Sequence, residues 1–211
     1  MIRTFSYIDV MYLVAAARWT LALTATAFAG SALLGLILAI ARISPIAPLR
    51  WLVATYILVV QGTPLLVWLF LIFFGLPLLG VSVNPWLAAA IAFKIYGSAF
   101  LGEIWRGALI SIARTQWEAG ASLGLSMAQQ LRYVIVPQSI RIAIPPTVGF
   151  LVQLIKNTSL AATIGLVELT REGQLTAAGT YQPFAVFITV ACIYFALCFP
   201  IPRCCRCYTA P

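Results

Sequence analysis

Side chains able to do acid–base, nucleophilic or metal chemistry are few in this chain, and their spacing works against most of it. There is no histidine, which removes Ser–His and Cys–His catalysis and the imidazole-based metal sites. The carboxylates Asp9, Glu103, Glu118, Glu168 and Glu172 form no cluster inside the apolar runs, as a membrane-bound enzyme would need. The cysteines Cys192, Cys198, Cys204, Cys205 and Cys207 all fall late, with no early partner for a disulfide framework. Cys204-Cys205-Arg206-Cys207 could bind a soft metal or accept a palmitoyl group. The plainer reading is a reduced tail at a membrane surface, with no metal bound. Lys94 is the exception: a lone cation inside an apolar run is costly, and by default suggests a pathway. The alternative is a lysine that snorkels to the interface.

These residues are set in a chain of 211 residues that is 63% hydrophobic and only 9% charged. Soluble domains carry roughly a quarter charged residues, so the composition is that of an integral membrane protein, read as one domain. The net charge of +8 invites a nucleic-acid reading, but the Arg and Lys residues lie near the ends of apolar runs and form no basic stretch. That distribution is topological. The first long apolar run, about 22 residues, exceeds a typical signal-peptide core, so no cleavable signal is expected.

A helix needs about 20 apolar residues to cross the hydrocarbon core. Five stretches qualify, and they predict an all-α membrane protein with five transmembrane helices: about 20–41, 51–74, 85–105, 133–155 and 183–201. The second contains Gly62-Thr63-Pro64, read as a hinge or as a proline kink that only shapes packing. The loops after the first, third and fifth spans hold Arg42, Arg50, Arg106, Arg114, Arg132, Arg141, Arg203 and Arg206. The other side holds Arg3, Arg18, Lys156 and Arg171. The positive-inside rule then puts the N-terminus outside and the C-terminus in the cytoplasm. The outer loop from Lys156 to Gln182 is the longest and is expected to form a short re-entrant or surface helix.

A polar segment at 106–132 interrupts this pattern. Thr115-x-x-Glu118 and Ser126-x-x-Gln129 both have capping-box spacing. Ala119, Gly120, Ala121 and Ser122 make a slim helix, and Gly124 is placed as the left-handed residue that ends it. The expectation is helix, turn, helix on the cytoplasmic side.

At these residues the chain resembles a family. Glu118-Ala119-Gly120, three residues, Gly124, nine residues and Val134-Ile135-Val136-Pro137 resemble the EAA motif of ABC-importer permeases, with Gly120 where the pattern has Ala. Gly62-Thr63-Pro64-Leu65-Leu66, Glu103-Ile104-Trp105-Arg106-Gly107, Val136-Pro137-Gln138-Ser139-Ile140-Arg141 and Lys156-Asn157-Thr158-Ser159-Leu160 resemble segments of the polar amino acid subfamily. Gln61 replaces an Arg there. The likeness runs from about residue 18 to 195. The Pro- and Cys-rich end departs from the charged amphipathic tail usual in the family.

The resemblance implies a permease subunit that does not itself hydrolyse ATP and has no catalytic site. Its partners would be a second permease subunit, identical or paralogous, two cytoplasmic ABC ATPase subunits that hold ATP and Mg, an extracytoplasmic amino acid-binding protein, and membrane lipid. No nucleic acid is implied. The chain would lie in the bacterial cytoplasmic membrane as a multi-pass protein and carry no cofactor. Glu118, Ala119, Gly120, Ala121, Leu123 and Gly124 would form the coupling helix that docks on the ATPase. Gln61, Thr63, Pro64, Lys94 and Glu103 are candidates for the pathway or a gate, with Glu103 expected to pair with Arg106 at i+3. The family usually has an uncharged residue near Lys94, which could instead pair with a carboxylate across the dimer. Lys156, Thr158 and Ser159 are candidate outer-loop contacts, the latter two also able to cap a following helix. A secondary transporter or channel would instead show inverted repeats and intramembrane acids, and no clear repeat is visible.

Overall fold

The computed structural model describes residues 4–203, and the regular structure of those residues is entirely helical. The elements are α1 (Tyr7–Ile43), α2 (Ala47–Gln61), α3 (Leu65–Leu78), α4 (Pro85–Ile110), α5 (Arg114–Ser122) and α6 (Met127–Gln130). A π-turn over Leu131–Ile135 leads into α7 (Val136–Asn157), a 3₁₀ segment over Thr158–Ile164 comes next, and α8 (Leu169–Thr180) and α9 (Pro183–Cys198) complete the order. Cys204, Cys205 and Cys207 lie outside the described residues, and Cys192 and Cys198 are free thiols.

α1 begins well before Thr20, the expected start of the first span, and runs for 37 residues. Asp9 in its first turn accepts from the backbone N–H of Ser6 at 2.9 Å and from its hydroxyl at 3.2 Å. Asp9 and Arg18 break the apolar run without breaking the helix, because Leu13–Ala17 are mostly strong helix formers.

The second expected span, 51–74, is not one helix. α2 and α3 meet at 97° across Gly62-Thr63-Pro64. Pro64 cannot donate a helical hydrogen bond and stands in the extended region at φ −61° and ψ 140°. The preceding turn is closed instead by the Thr63 hydroxyl, which donates to Val59 O at 2.9 Å. With 15 and 14 residues, neither half is long enough to cross a bilayer alone. Four other helical stretches are long and apolar enough to span, and the bent pair supplies a fifth if counted as one.

α4 is the central helix, packed by α1, α2, α3 and α7. Its contact with α1 is intimate because small residues face one another. The Ser31 hydroxyl donates to Phe93 O at 3.2 Å, beside Gly97. Gly35 of α1 lies so close to α4 that a Cβ there would stand 3.1 Å from the Gly102 nitrogen. Around this seam Leu23, Ala27, Leu69, Ala92, Phe93, Leu101, Phe150 and Leu154 form the main core.

Aromatic and charged residues mark the two ends of the seam. Trp19 and Trp86 stack edge to face at 5.8 Å, with the Arg18 guanidinium 5.3 Å from the Trp19 ring. Toward the other end stand Arg42, Glu103, Trp105 and Arg106. At about 1.5 Å per residue, Trp19 to Arg42 covers about 35 Å, close to the thickness of a hydrocarbon core.

The segment expected as an outer loop with a short re-entrant or surface helix does hold a helix, α8, and folds back on the bundle. α8 runs antiparallel along α9: Thr170 bonds Tyr194 at 3.0 Å, and Gly173 lies against Val190. Glu168 ties this hairpin to α1. It is fully buried, accepts from the Thr20 hydroxyl at 3.3 Å, the Tyr194 hydroxyl at 3.0 Å and the Arg171 N–H at 2.9 Å, and so caps α8.

Candidate functional site

The polar segment folds as helix, turn, helix, but its first cap differs from the expectation. α5 starts at Arg114 with Ala113 at the N-cap, extended at ψ 138°, and no side chain caps it. Thr115 is therefore already inside the helix. α4 ends at Ile110, the buried Ile112 anchors the link, and the chain re-enters helix as soon as Ala113 has turned it. Glu118, freed from capping, pairs with Arg114 at 3.6 Å on the exposed face.

The end of α5 matches the expectation. Gly124 has φ +73°. Its N–H donates to Ala121 O at 2.9 Å, and the Leu125 N–H donates to Gly120 O at 3.2 Å, the pattern of a Schellman cap. The second capping box is also present: Gln129 N–H donates to the Ser126 hydroxyl at 3.4 Å, and Ser126 N–H donates to the Gln129 side chain at 2.9 Å.

The faces of α5 are sharply divided. Glu118, Ala119, Ala121, Leu123 and Gly124 are exposed, with Leu123 at 80%. Gly120 is buried against Gln130, itself only 7% exposed. Five of the six candidate coupling residues thus form an outward surface of small side chains, a carboxylate and an unpartnered leucine, and the sixth faces inward. Such a surface can receive another protein closely, because it carries little side chain to move aside.

Beyond α6 comes the π-turn at Leu131–Ile135, where the Val136 N–H reaches back to Leu131 O. Pro137 explains the wide turn: its ring would clash with the carbonyl four residues earlier in a regular α-turn. Gln138 then donates to Gln116 at 3.3 Å, bridging α7 to α5.

The candidate pathway residues do not converge on one face. Glu103 binds Arg106 through Nε at 3.0 and 2.9 Å and through a guanidinium nitrogen, with Arg42 Nε at 4.0 Å. Lys94 lies nine positions earlier on α4, which at 3.6 residues per turn is the opposite side of the helix. Its stem packs on Gly30 of α1. Gln61, at the end of α2, donates to Ala99 O at 3.2 Å, and Thr63 and Pro64 form the bend. Thr158 and Ser159 do not cap a following helix. Their hydroxyls bond backward to Ile155 O and Lys156 O, both at 2.7 Å. Lys156 lines a groove between α7 and α9 with Tyr194, Cys198 and Arg203, far along α9 from its start at Pro183. Among the described residues no group of three or more His, Cys, Asp or Glu residues could hold a metal.

Two features escaped sequence reasoning. The Glu168 hub joins positions 148 and 26 residues away, which no local pattern reveals. Gln130 had one signal, the departure from Ala at Gly120.

The chain is thus all-helical over the described residues, with helices long and apolar enough to span a membrane and an outward-facing elbow between them. The family model described as "Binding-protein-dependent transport system inner membrane component" matches residues 31–203. The chain belongs to that family. It is 38% identical over 187 residues to the Bacillus subtilis "Probable amino-acid ABC transporter permease protein YckA", covering 89% of this chain and 83% of that one. It is 40% identical to the B. subtilis "L-cystine transport system permease protein TcyB", over 86% of this chain and 78% of that one. With the Escherichia coli (strain K12) "Glutamine transport system permease protein GlnP" the identity is 35%, over 88% and 85% of the two chains. A crystal structure of an amino acid ABC transporter with histidines superimposes with a TM-score of 0.91 at 31% identity, over 98% of this chain and 99% of that one. The MetNI methionine ABC transporter, at 21% identity and a TM-score of 0.78 over 97% of this chain and 98% of that one, shares the fold.

Proposed function

We propose that this chain is a permease subunit of an ATP-driven importer for polar amino acids. The observation that carries the reading is the outward face of α5, Glu118 to Gly124, in a chain whose relatives are named as amino acid permeases. Two copies, or this chain and a paralogue, form the pathway. Two cytoplasmic ATPase subunits bind below, and an external binding protein delivers substrate. ATP and Mg reside on the ATPase, and this chain holds neither a cofactor nor a catalytic site.

In this reading Glu118, Ala119, Ala121, Leu123 and Gly124 contact the ATPase, and Gly120 supports them from within. α5 then lies on the cytoplasmic side, so the N-terminus is outside and the C-terminus cytoplasmic, as the arginine distribution supports. The bend at Gln61, Thr63 and Pro64 and the pair Glu103–Arg106 are candidate moving parts. Lys94 stands apart, on the side of α4 that faces α1. Lys156, exposed, Thr158, buried, and Ser159, half-buried, are candidate substrate contacts at the end of α7. Closure of the ATPases drives transport only if nucleotide and substrate favour different states of the permease.

The test is reconstitution of the permease with its ATPase and binding protein, then uptake of a panel of amino acids and coupled ATP hydrolysis. Glu118→Lys should abolish coupled uptake. Absence of any co-purifying ATPase, together with intact uptake in Glu118→Lys, would refute the reading.

A further inference from the structure

Gly120 departs from the family pattern, and the structure shows what occupies the space of the missing methyl. A Cβ at Gly120 would stand 3.0 Å from Gln130 Cγ and 3.2 Å from its Cδ, closer than ordinary packing allows. The Gln130 side chain lies in that gap, and its amide donates to Leu125 O at 2.9 Å. Leu125 is the residue whose N–H completes the Schellman cap on Gly120 O. One side chain at the end of α6 therefore fills the inner face of α5 and ties the link between the two helices.

The same residue stands immediately before the π-turn that leads into α7. We infer that Gln130 is a positioning residue: seated on Gly120, it locks α5 and α6 into one rigid elbow, so that motion imposed on the outer face of α5 reaches α7. This rests on the proposed coupling role of α5 and adds to it a specific brace. Without the brace, α5 is held to α6 and α7 by its covalent link, the backbone contacts of α5 with α6 and the π-turn, and the exposed Gln116–Gln138 bond. Force on α5 would then be absorbed by rotation of the elbow. Gln130 touches neither substrate nor nucleotide and acts only through α5.

The experiment uses the whole importer in proteoliposomes and reads substrate uptake per ATP hydrolysed, alongside ATPase co-purification and thermal stability. Gln130→Ala removes both filling and bond, and Gln130→Met keeps most of the volume and loses the bond. Both should keep the ATPase bound while uptake per ATP falls, by about threefold to tenfold for Gln130→Ala and less for Gln130→Met, the range that one buried hydrogen bond commands. Gly120→Ala should lower it in the same direction, and combining it with Gln130→Ala should recover part of the loss, because the new methyl fills the vacated space. If the Gln130→Ala complex does not assemble, Gln130→Met decides. Unchanged uptake per ATP in the assembled variants, with or without a loss of thermal stability, would overturn the brace and leave Gln130 a packing residue. Failure of the unaltered permease to retain any ATPase would instead strike the importer reading itself.

Discussion

The stem of Lys94 occupies the space in which a side chain on Gly30 would sit: a Cβ there would stand 2.5 Å from Lys94 Cε and 2.7 Å from both its Cδ and its Cγ. A long cation in the middle of an apolar helix is thus accommodated by a missing side chain on the helix packed against it. Gly30→Ala should destabilise the permease by about 1–3 kcal/mol, as overpacking does. Adding Lys94→Ala should relieve most of that loss, and a double-mutant cycle on thermal unfolding in detergent would reveal the coupling. Additive losses would show that the lysine moves aside freely.

Uptake separates packing from pathway at the same residue. Lys94→Met keeps the stem and removes the charge. If the ammonium meets an anionic group of the substrate, acidic amino acid uptake falls while neutral uptake is kept. With Lys94 on the side of α4 away from Glu103, equal uptake of all substrates is the outcome expected of a packing lysine, measured by competition in vesicles.

Glu168 joins three helices through hydroxyl and backbone donors rather than through a cation. Glu168→Ala removes the cap of α8 and one hydrogen-bond partner from each of the Thr20 and Tyr194 hydroxyls, which keep their bonds to Leu169 N–H and Thr170, at a cost of about 1–3 kcal/mol. Glu168→Gln keeps the shape and should cost less. Thermal unfolding, together with proteolysis across 165–182, would show whether α8 detaches before the rest.

The caps of the elbow give opposite expectations for two similar residues. Thr115→Ala should change stability by no more than about 0.5 kcal/mol, because Thr115 caps nothing. Ser126→Ala should cost about 1 kcal/mol, because its hydroxyl receives the Gln129 N–H. Equal effects on the melting temperature of the permease would contradict the helix start at Arg114.

Gly124 carries the only left-handed φ in the elbow. Gly124→Ala should cost about 1 kcal/mol, and Gly124→Asn less, since Asn tolerates that conformation better. Loss of ATPase retention in Gly124→Ala, restored in Gly124→Asn, would tie the cap to the docking surface.

Much of this protein is written locally. Apolar stretches of span length, arginines at their ends, the Ser126–Gln129 box and the glycine that closes α5 depend on neighbours within a few residues, so linear spacing reveals them. The EAA-like spacing from Glu118 to Pro137 reveals the family for the same reason, since it records one helix, one turn and the start of the next. Thr115 shows the limit of local reading. Capping spacing is permissive, and the short link after α4 decided where α5 began. What only the tertiary structure decided are relations between helices: the right angle that the Gly62-Thr63-Pro64 bend sets between α2 and α3, the return of α8 along α9, the Glu168 hub, and the seats of Lys94 on Gly30 and Gln130 on Gly120. Each depends on which faces are brought together by packing, and a missing side chain acquires meaning only when the residue that fills its place is known.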